Sequence, residues 1–245
     1  SPQFEWAMTY SPRVEAGFMA RGEGLGLAGR YWHFDATASR AGLPGDNRVD
    51  FSVTPDIAIA APDLIATHSL RFEQIDGEVT ARRGNIVAIG GARYLKMTQT
   101  YAASAPGDAG VTIVHSFTGV GPTVGVEGRQ GLGATKFALF ANGRASILFG
   151  KRDLTASDLV GGDSYTRNSA HAIFPTTQVQ VGGEWLRPMG ERGSVIVRAA
   201  LEAQYLPSGG AGFRAPGGVG GDPLADPLAS GMGFFGASVG IGLSW

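Results

Sequence analysis

From Phe235 to Trp245 every second residue is apolar. Phe235, Ala237, Val239, Ile241, Leu243 and Trp245 alternate with Gly236, Ser238, Gly240, Gly242 and Ser244. Side chains of a strand point to opposite faces with period two, so this segment predicts a strand with one apolar face and one small, polar face. The alternation recurs upstream. In 192–206, Val195, Val197, Ala199, Leu201, Ala203 and Tyr205 oppose Ser194, Arg198, Glu202 and Gln204. In 177–185, Val179, Val181 and Trp185 oppose Gln178, Gln180 and Glu184. In 136–149, Phe137, Leu139, Ala141, Ala145, Ile147 and Phe149 oppose Lys136, Asn142 and Arg144. In 118–129, Val120, Val124 and Val126 oppose Thr123, Glu127 and Arg129. Near the start, Val14, Ala16, Phe18 and Ala20 oppose Arg13 and Glu15, and Leu25, Leu27 and Tyr31 oppose Gly26, Ala28 and Arg30. Two less regular strands follow over 66–81 and 86–101, with Ile75, Gly77 and Val79 against Asp76, Glu78 and Thr80. Most of these nine strands reach the roughly 9–11 residues a tilted strand needs to cross a bilayer, where soluble strands average about five or six.

The connections alternate in length. Short turns fall at 22–24, 82–85, 130–133 and 187–191, each with the Gly that tight hairpins use. Longer links fall near 39–63, 104–111, 153–168 and 207–231. Short periplasmic turns and long external loops are the arrangement of an outer-membrane barrel. Single-chain bacterial barrels normally have an even strand number, so about ten are expected. Phe4, Trp6, Met8 and Tyr10 either form the tenth or, sharing the phase of Val14, Ala16 and Phe18, belong to one long strand from about 3 to 21. The second arrangement is favoured, and it places the partner strand upstream.

Composition narrows the alternatives. Charged residues make up 17% of the chain, below the usual quarter or so, and glycine is abundant at 39 residues. No stretch approaches the roughly 18 apolar residues of a spanning helix. A net charge of −1 offers no basic stripe for nucleic acid. Cysteine is absent, which removes disulfides and thiolate metal sites. The chain opens at Ser1 without a leader-like segment, and the expectation is a mature chain from which any signal peptide has been removed. Residues 1–245 read as one outer-membrane barrel domain.

The faces opposite the apolar ones carry Glu15, Asp76, Glu78, Glu127, Glu184 and Glu202 against Arg30, Arg93, Arg129, Arg144 and Arg198. An Arg on the lipid face at mid-membrane costs roughly 2–4 kcal/mol, so these charges are expected in the lumen. Guanidinium and carboxylate form planar bidentate pairs. The set reads either as a salt-bridge network filling a narrow lumen or as the charged constriction of a pore. Aromatics near strand ends, namely Tyr31, Trp32, Tyr94, Tyr101, Trp185, Tyr205, Phe235 and Trp245, are expected to form interfacial girdles. Phe235, Val239, Ile241, Leu243 and Trp245 form the expected C-terminal insertion signal.

Motifs for chemistry are weak. Gly236-Ala-Ser-Val-Gly240 fits G-x-S-x-G, but the strand continues where that motif needs a turn and a helix, so Ser238 is read as an alternating small residue. His33, His68, His115 and His171 are far apart, and Asp153, Asp158 and Asp163 lack the spacing of an EF-hand loop. No enzyme, metal or cofactor is expected.

Six segments stand out together: Ser11-Pro-Arg-Val-Glu-Ala-Gly-Phe18, Gly24-Leu-Gly-Leu-Ala-Gly-Arg-Tyr-Trp-His-Phe34, Ile75-Asp-Gly-Glu78, Gly90-Gly-Ala-Arg-Tyr94, Gly119-Val-Gly-Pro-Thr-Val-Gly125, and Gly233-Phe-Phe-Gly236 onward to Trp245. They resemble the pore-forming outer-membrane protein family typified by the major outer-membrane protein of Legionella and plentiful in planctomycetes. The resemblance implies a strand before the Ser-Pro-Arg-Val segment, and a terminal aromatic read by the barrel-insertion machinery, here Trp245 where the family commonly has Phe. It implies a porin-like channel in the outer membrane of a Gram-negative-type bacterium. The residues also allow a structural scaffold with a packed, non-conducting lumen. Expected partners are outer-membrane lipid, the insertion machinery, and homo-oligomer or surface-layer neighbours at the external loops.

Overall fold

The computed structural model describes residues 7–19, 24–41, 48–50, 58–60, 65–104, 110–158, 164–189, 193–212 and 228–244. These form β1 (Arg13–Met19), β2 (Leu25–Ala41), β3 (Arg48–Asp50), β4 (Ala58–Ala60), β5 (Ile65–Arg83), β6 (Ile86–Ser104), β7 (Gly110–Gly131), β8 (Phe137–Asp158), β9 (Ser164–Met189), β10 (Gly193–Gly212) and β11 (Leu228–Ser244). One antiparallel nine-stranded sheet runs in the order β1-β2-β5-β6-β7-β8-β9-β10-β11, and β3 and β4 form a separate ribbon within the first long link. The nine strands coincide with the nine predicted by alternation. At the short turns Gly84 and Gly133 have φ of 58° and 61°, a region that L side chains rarely enter.

The expected long strand from 3 to 21 is corrected. Residues 7–12 are not strand, and residues 1–6 lie outside the described set. Pro12 has no N–H to donate to a ladder. Its carbonyl accepts from His33 N at 3.1 Å, and Ser11 Oγ donates to His33 O at 2.7 Å and accepts from Trp32 Nε1 at 2.5 Å. The entry to β1 is therefore tied to β2 by a hydroxyl, an indole and one backbone bond.

The strands are longer than the apolar alternation indicates, because polarity inverts partway along them. Backbone register aligns Val14, Tyr31, Ile75, Tyr94, Val120, Phe149 and Ile173 in one outward row, and all seven are exposed. The next outward row toward the long loops reads His33, Glu73, Lys96, Thr118 and Lys151. Beyond it Arg71 pairs with Asp35 at 2.8 Å, and hydroxyl pairs join Thr37 to Ser69 and Ser39 to Thr67. One row thus separates a lipid-facing belt from a wetted surface. Strands of 19–26 residues, β5 to β10, exceed what a bilayer core requires, so their outer parts stand clear of it.

The inner face does the opposite. Above the border it carries an apolar core of Trp32, Leu70, Phe72, Leu95, Met97, Phe117, Leu148, Phe174 and Leu206, with Phe34, Met232 and Phe234 packed against it. Trp32 meets Phe72 at 4.6 Å and Phe234 at 5.9 Å between centroids, and Phe117 stacks on Phe174 at 4.5 Å. Two girdle assignments are corrected here. Trp32 is buried inside this core, and Tyr101 stacks on His68 at 3.8 Å, because both sit on the inward parity of their strands. Tyr31, Tyr94, Tyr205 and Phe235 do face outward, and Trp245 lies outside the described residues.

The sheet curls until side chains of β2 touch those of β11, as Trp32 and Phe34 do with Phe234. β1 and β11 are not hydrogen-bonded to each other among the described residues, and nine antiparallel neighbours make these two edges run in the same direction. Curling is tight enough that inward glycines are required. A Cβ on Gly121 would overlap the carbonyl of Ile147, and one on Gly91 the carbonyl of Gly77, both on the neighbouring strand. Gly121→Ala is expected to lower stability by about 1–3 kcal/mol by forcing the strands apart, read as a shifted denaturation midpoint, whereas Gly143→Ala, with open space, is near neutral. Since the chain lacks cysteine, single reporters are clean. Ser39→Cys on intact cells should react with an impermeant maleimide and Asn85→Cys should not; labelling of the second would invert the topology.

Candidate functional site

Below the border, toward the short turns, the inner face is polar, and its groups meet across the interior. Arg93 on β6 has no exposed surface. It donates through Nε to Asp76 Oδ1 at 2.7 Å and through Nη2 to Oδ2 at 3.1 Å, while Nη1 reaches Thr176 Oγ1 on β9 at 3.1 Å. Asp76 also accepts from Gln74 Nε2 at 2.8 Å. Arg144 on β8 forms a second bidentate pair with Glu78 on β5, at 2.9 and 3.2 Å. Arg30 stands between them, 3.6 Å from Asp76, 3.9 Å from Glu78 and 3.3 Å from Glu15.

Nearer the turns, Arg198 on β10 bridges Glu184 at 2.8 Å and Glu127 on β7 at 3.1 Å, with its guanidinium 4.8 Å from the Phe140 ring centroid. Arg129 closes on the other Glu184 oxygen at 2.6 Å. On the remaining side Glu202 accepts twice from Arg13 at 2.5 Å, and from Gln178 at 2.9 Å and Gln180 at 3.0 Å. Arg13 lies over Trp32 at 5.2 Å, which links this polar layer to the apolar core above it.

All eleven charges proposed from sequence lie on the inner face, and each is in an ion pair. Most are buried or partly buried; Glu15, at the sheet edge, is half exposed. Sequence reasoning left out Arg13, the sixth guanidinium, which balances the six carboxylates. It also passed over the inward amides: Gln204 donates to Gln74 across the interior at 3.3 Å, and Asn142 donates to Gln180 on the neighbouring strand at 2.8 Å. Their signal was the inward parity they share with the charges. Ser238 lies in continuous β11 and accepts from Gln180 at 3.3 Å, with no turn to expose it as a nucleophile. Phe235, Val239 and Ile241 face outward, and Leu243 pairs in backbone register with Val195.

Above the membrane border the inner face holds two buried histidines, His68 and His115, and the half-buried Tyr101. Burial pushes His68 down to about 4 and Tyr101 up to about 12; burial and then Arg152 push His115 down to about 4.

Two predictions follow from this layer and its cap. Asp76→Leu strands Arg93 without its anion and should cost about 3–5 kcal/mol, less where water enters, while Asp76→Leu/Arg93→Met should recover most of it; equilibrium unfolding of both variants checks this. For the histidines, the unfolded chain takes up protons below pH 6.5 that the folded chain refuses until about pH 4. Stability should be full above pH 6.5 and fall as pH drops from there to about 4, and His68→Gln/His115→Gln should flatten that slope in a pH series of denaturation midpoints.

Among curated proteins and among solved structures, none matches the chain. Residues 2–204 match the family described as Legionella pneumophila major outer membrane protein precursor. The matched span contains β1 through most of β10 and every charge of the paired interior. A polarity-inverted antiparallel sheet with lipid outside and ion pairs inside is what such a protein requires, and the chain belongs to the Legionella major outer membrane protein family, a family of outer-membrane proteins.

Proposed function

We propose that this protein is a structural outer-membrane barrel whose interior is closed by packing. One observation carries the reading: Phe72, Leu95, Met97, Phe117, Leu148, Phe174 and Leu206 cross the interior with essentially no exposed surface, directly above the polar layer. A water-filled path would have to wet these side chains, each of which gains roughly 1.5–3 kcal/mol by burial. The polar layer agrees with this. Signs alternate and pair across the interior, where a selective constriction would present unpaired charge to the solute. The wetted outer parts of the strands and the long loops then supply a surface for neighbouring molecules, and the outward face of β11 supplies the contact for barrel insertion.

A porin-like channel is the second reading, favoured by the family and by polar atoms such as Arg144 Nη1, Asn142 Oδ1 and Gln204 Oε1. These are buried without a hydrogen-bond partner among the described residues, and lumenal water would satisfy them. Planar-bilayer recording separates the two. The closed reading expects negligible conductance from the parent and measurable conductance from Phe72→Ala/Phe174→Ala, which opens the apolar layer. A large, steady parent conductance would sink it in favour of the channel.

A further inference from the structure

The outward face at the membrane border holds a repeated pair. β6 presents Tyr94 and then Lys96; β8 presents Phe149 and then Lys151; between them β7 presents Val120 and then Thr118. Register places Tyr94, Val120 and Phe149 in one row and Lys96, Thr118 and Lys151 in the next. All six side chains are exposed. The lysines are two strands apart, roughly 10 Å between backbones, a gap two flexible four-carbon stems can close over Thr118. Each lysine has one acid beside it: Glu73 stands across from Lys96 and is 4.0 Å from His33, and Asp153 pairs with Lys151 at 3.1 Å, an exposed contact that a headgroup phosphate would compete with.

From this juxtaposition we infer a binding site for a phosphate-bearing lipid headgroup of the outer leaflet, gripped by Lys96 and Lys151 with Thr118 as hydroxyl donor. The apolar row immediately below decides for lipid over free phosphate. Tyr94, Val120 and Phe149 belong to the belt that meets hydrocarbon, so a molecule carrying phosphate and acyl chains together satisfies both rows, and inorganic phosphate only one. Tyr94 sits where a ring with a polar tip is favoured, at headgroup depth. Basic side chains at a membrane surface attract anionic headgroups, and screening by salt weakens the attraction. Neither lysine faces the interior, so the site does not depend on whether the lumen conducts.

The test uses the full chain folded in detergent, titrated with three probes: lipopolysaccharide, the same lipopolysaccharide chemically dephosphorylated, and inorganic phosphate. The parent should bind intact lipopolysaccharide with an affinity that falls as salt rises. Lys96→Gln/Lys151→Gln should weaken binding roughly 30-fold, and Lys96→Arg/Lys151→Arg should retain it. Heat-modifiable migration confirms that the variants are folded; if the Gln variant is not, the dephosphorylated lipid on the parent gives the same answer. Equal binding by parent and Gln variant, or of intact and dephosphorylated lipid, overturns the site. Displacement of the lipid by millimolar inorganic phosphate assigns it to free phosphate and overturns the lipid reading.

Discussion

A guanidinium with no exposed surface constrains everything around it. Arg93 is tolerable inside the sheet because Asp76 takes two of its N–H groups and Thr176 a third. Asp76 lies directly across the ladder on neighbouring β5, whereas Thr176 on β9 comes within reach only if the sheet is curled. The same holds for Arg144 with Glu78 and Arg198 with Glu127, each joining strands that are not neighbours. Leaving any of these charges unpaired in a low-dielectric interior costs about 3–5 kcal/mol, a large share of a typical fold's stability. Charge balance and curvature are therefore one requirement, and the inward glycines at 91 and 121 are what let the backbone meet it.

The strands that cross the border, β2 and β5 to β8, pass through two solvents and change faces between them. Within the bilayer, hydrocarbon lies outside and the paired charges inside. Beyond the bilayer, water lies outside, so the outward face becomes polar, and the inward face is free to be apolar. Trp32, Phe72 and Phe117 accordingly build an ordinary hydrophobic core on the inside of what began as a membrane wall. The buried histidines belong to this upper part, where loss of solvation keeps them neutral. Their acid sensitivity is a property of the cap, separate from the ion pairs beneath.

The border between the two regimes is one residue row thick, and it is chemically doubled. Aromatic and aliphatic side chains on its lower side are followed immediately by lysines, a threonine and a glutamate on its upper side. Such a step matches the depth profile of a lipid, hydrocarbon first and headgroup next, which is why the site at Lys96 and Lys151 is a continuation of the belt.

The sequence by itself determined the strand count, the alternation of short and long connections and the inward placement of all eleven proposed charges, because period-two patterning acts locally and is written residue by residue. It also held the border, unread, in adjacent apolar pairs such as Tyr31-Trp32, Tyr94-Leu95, Leu148-Phe149 and Ile173-Phe174, where the apolar phase switches faces. Reading each strand in one phase cut it short there and sent Trp32 and Tyr101 to the wrong side. Only the tertiary structure decided which carboxylate meets which guanidinium, that Arg13 completes the set through Glu202, and that Trp32 reaches Phe234 at the far end of the chain. Those contacts depend on how tightly nine strands coil, a collective geometry to which every strand contributes and which none encodes alone.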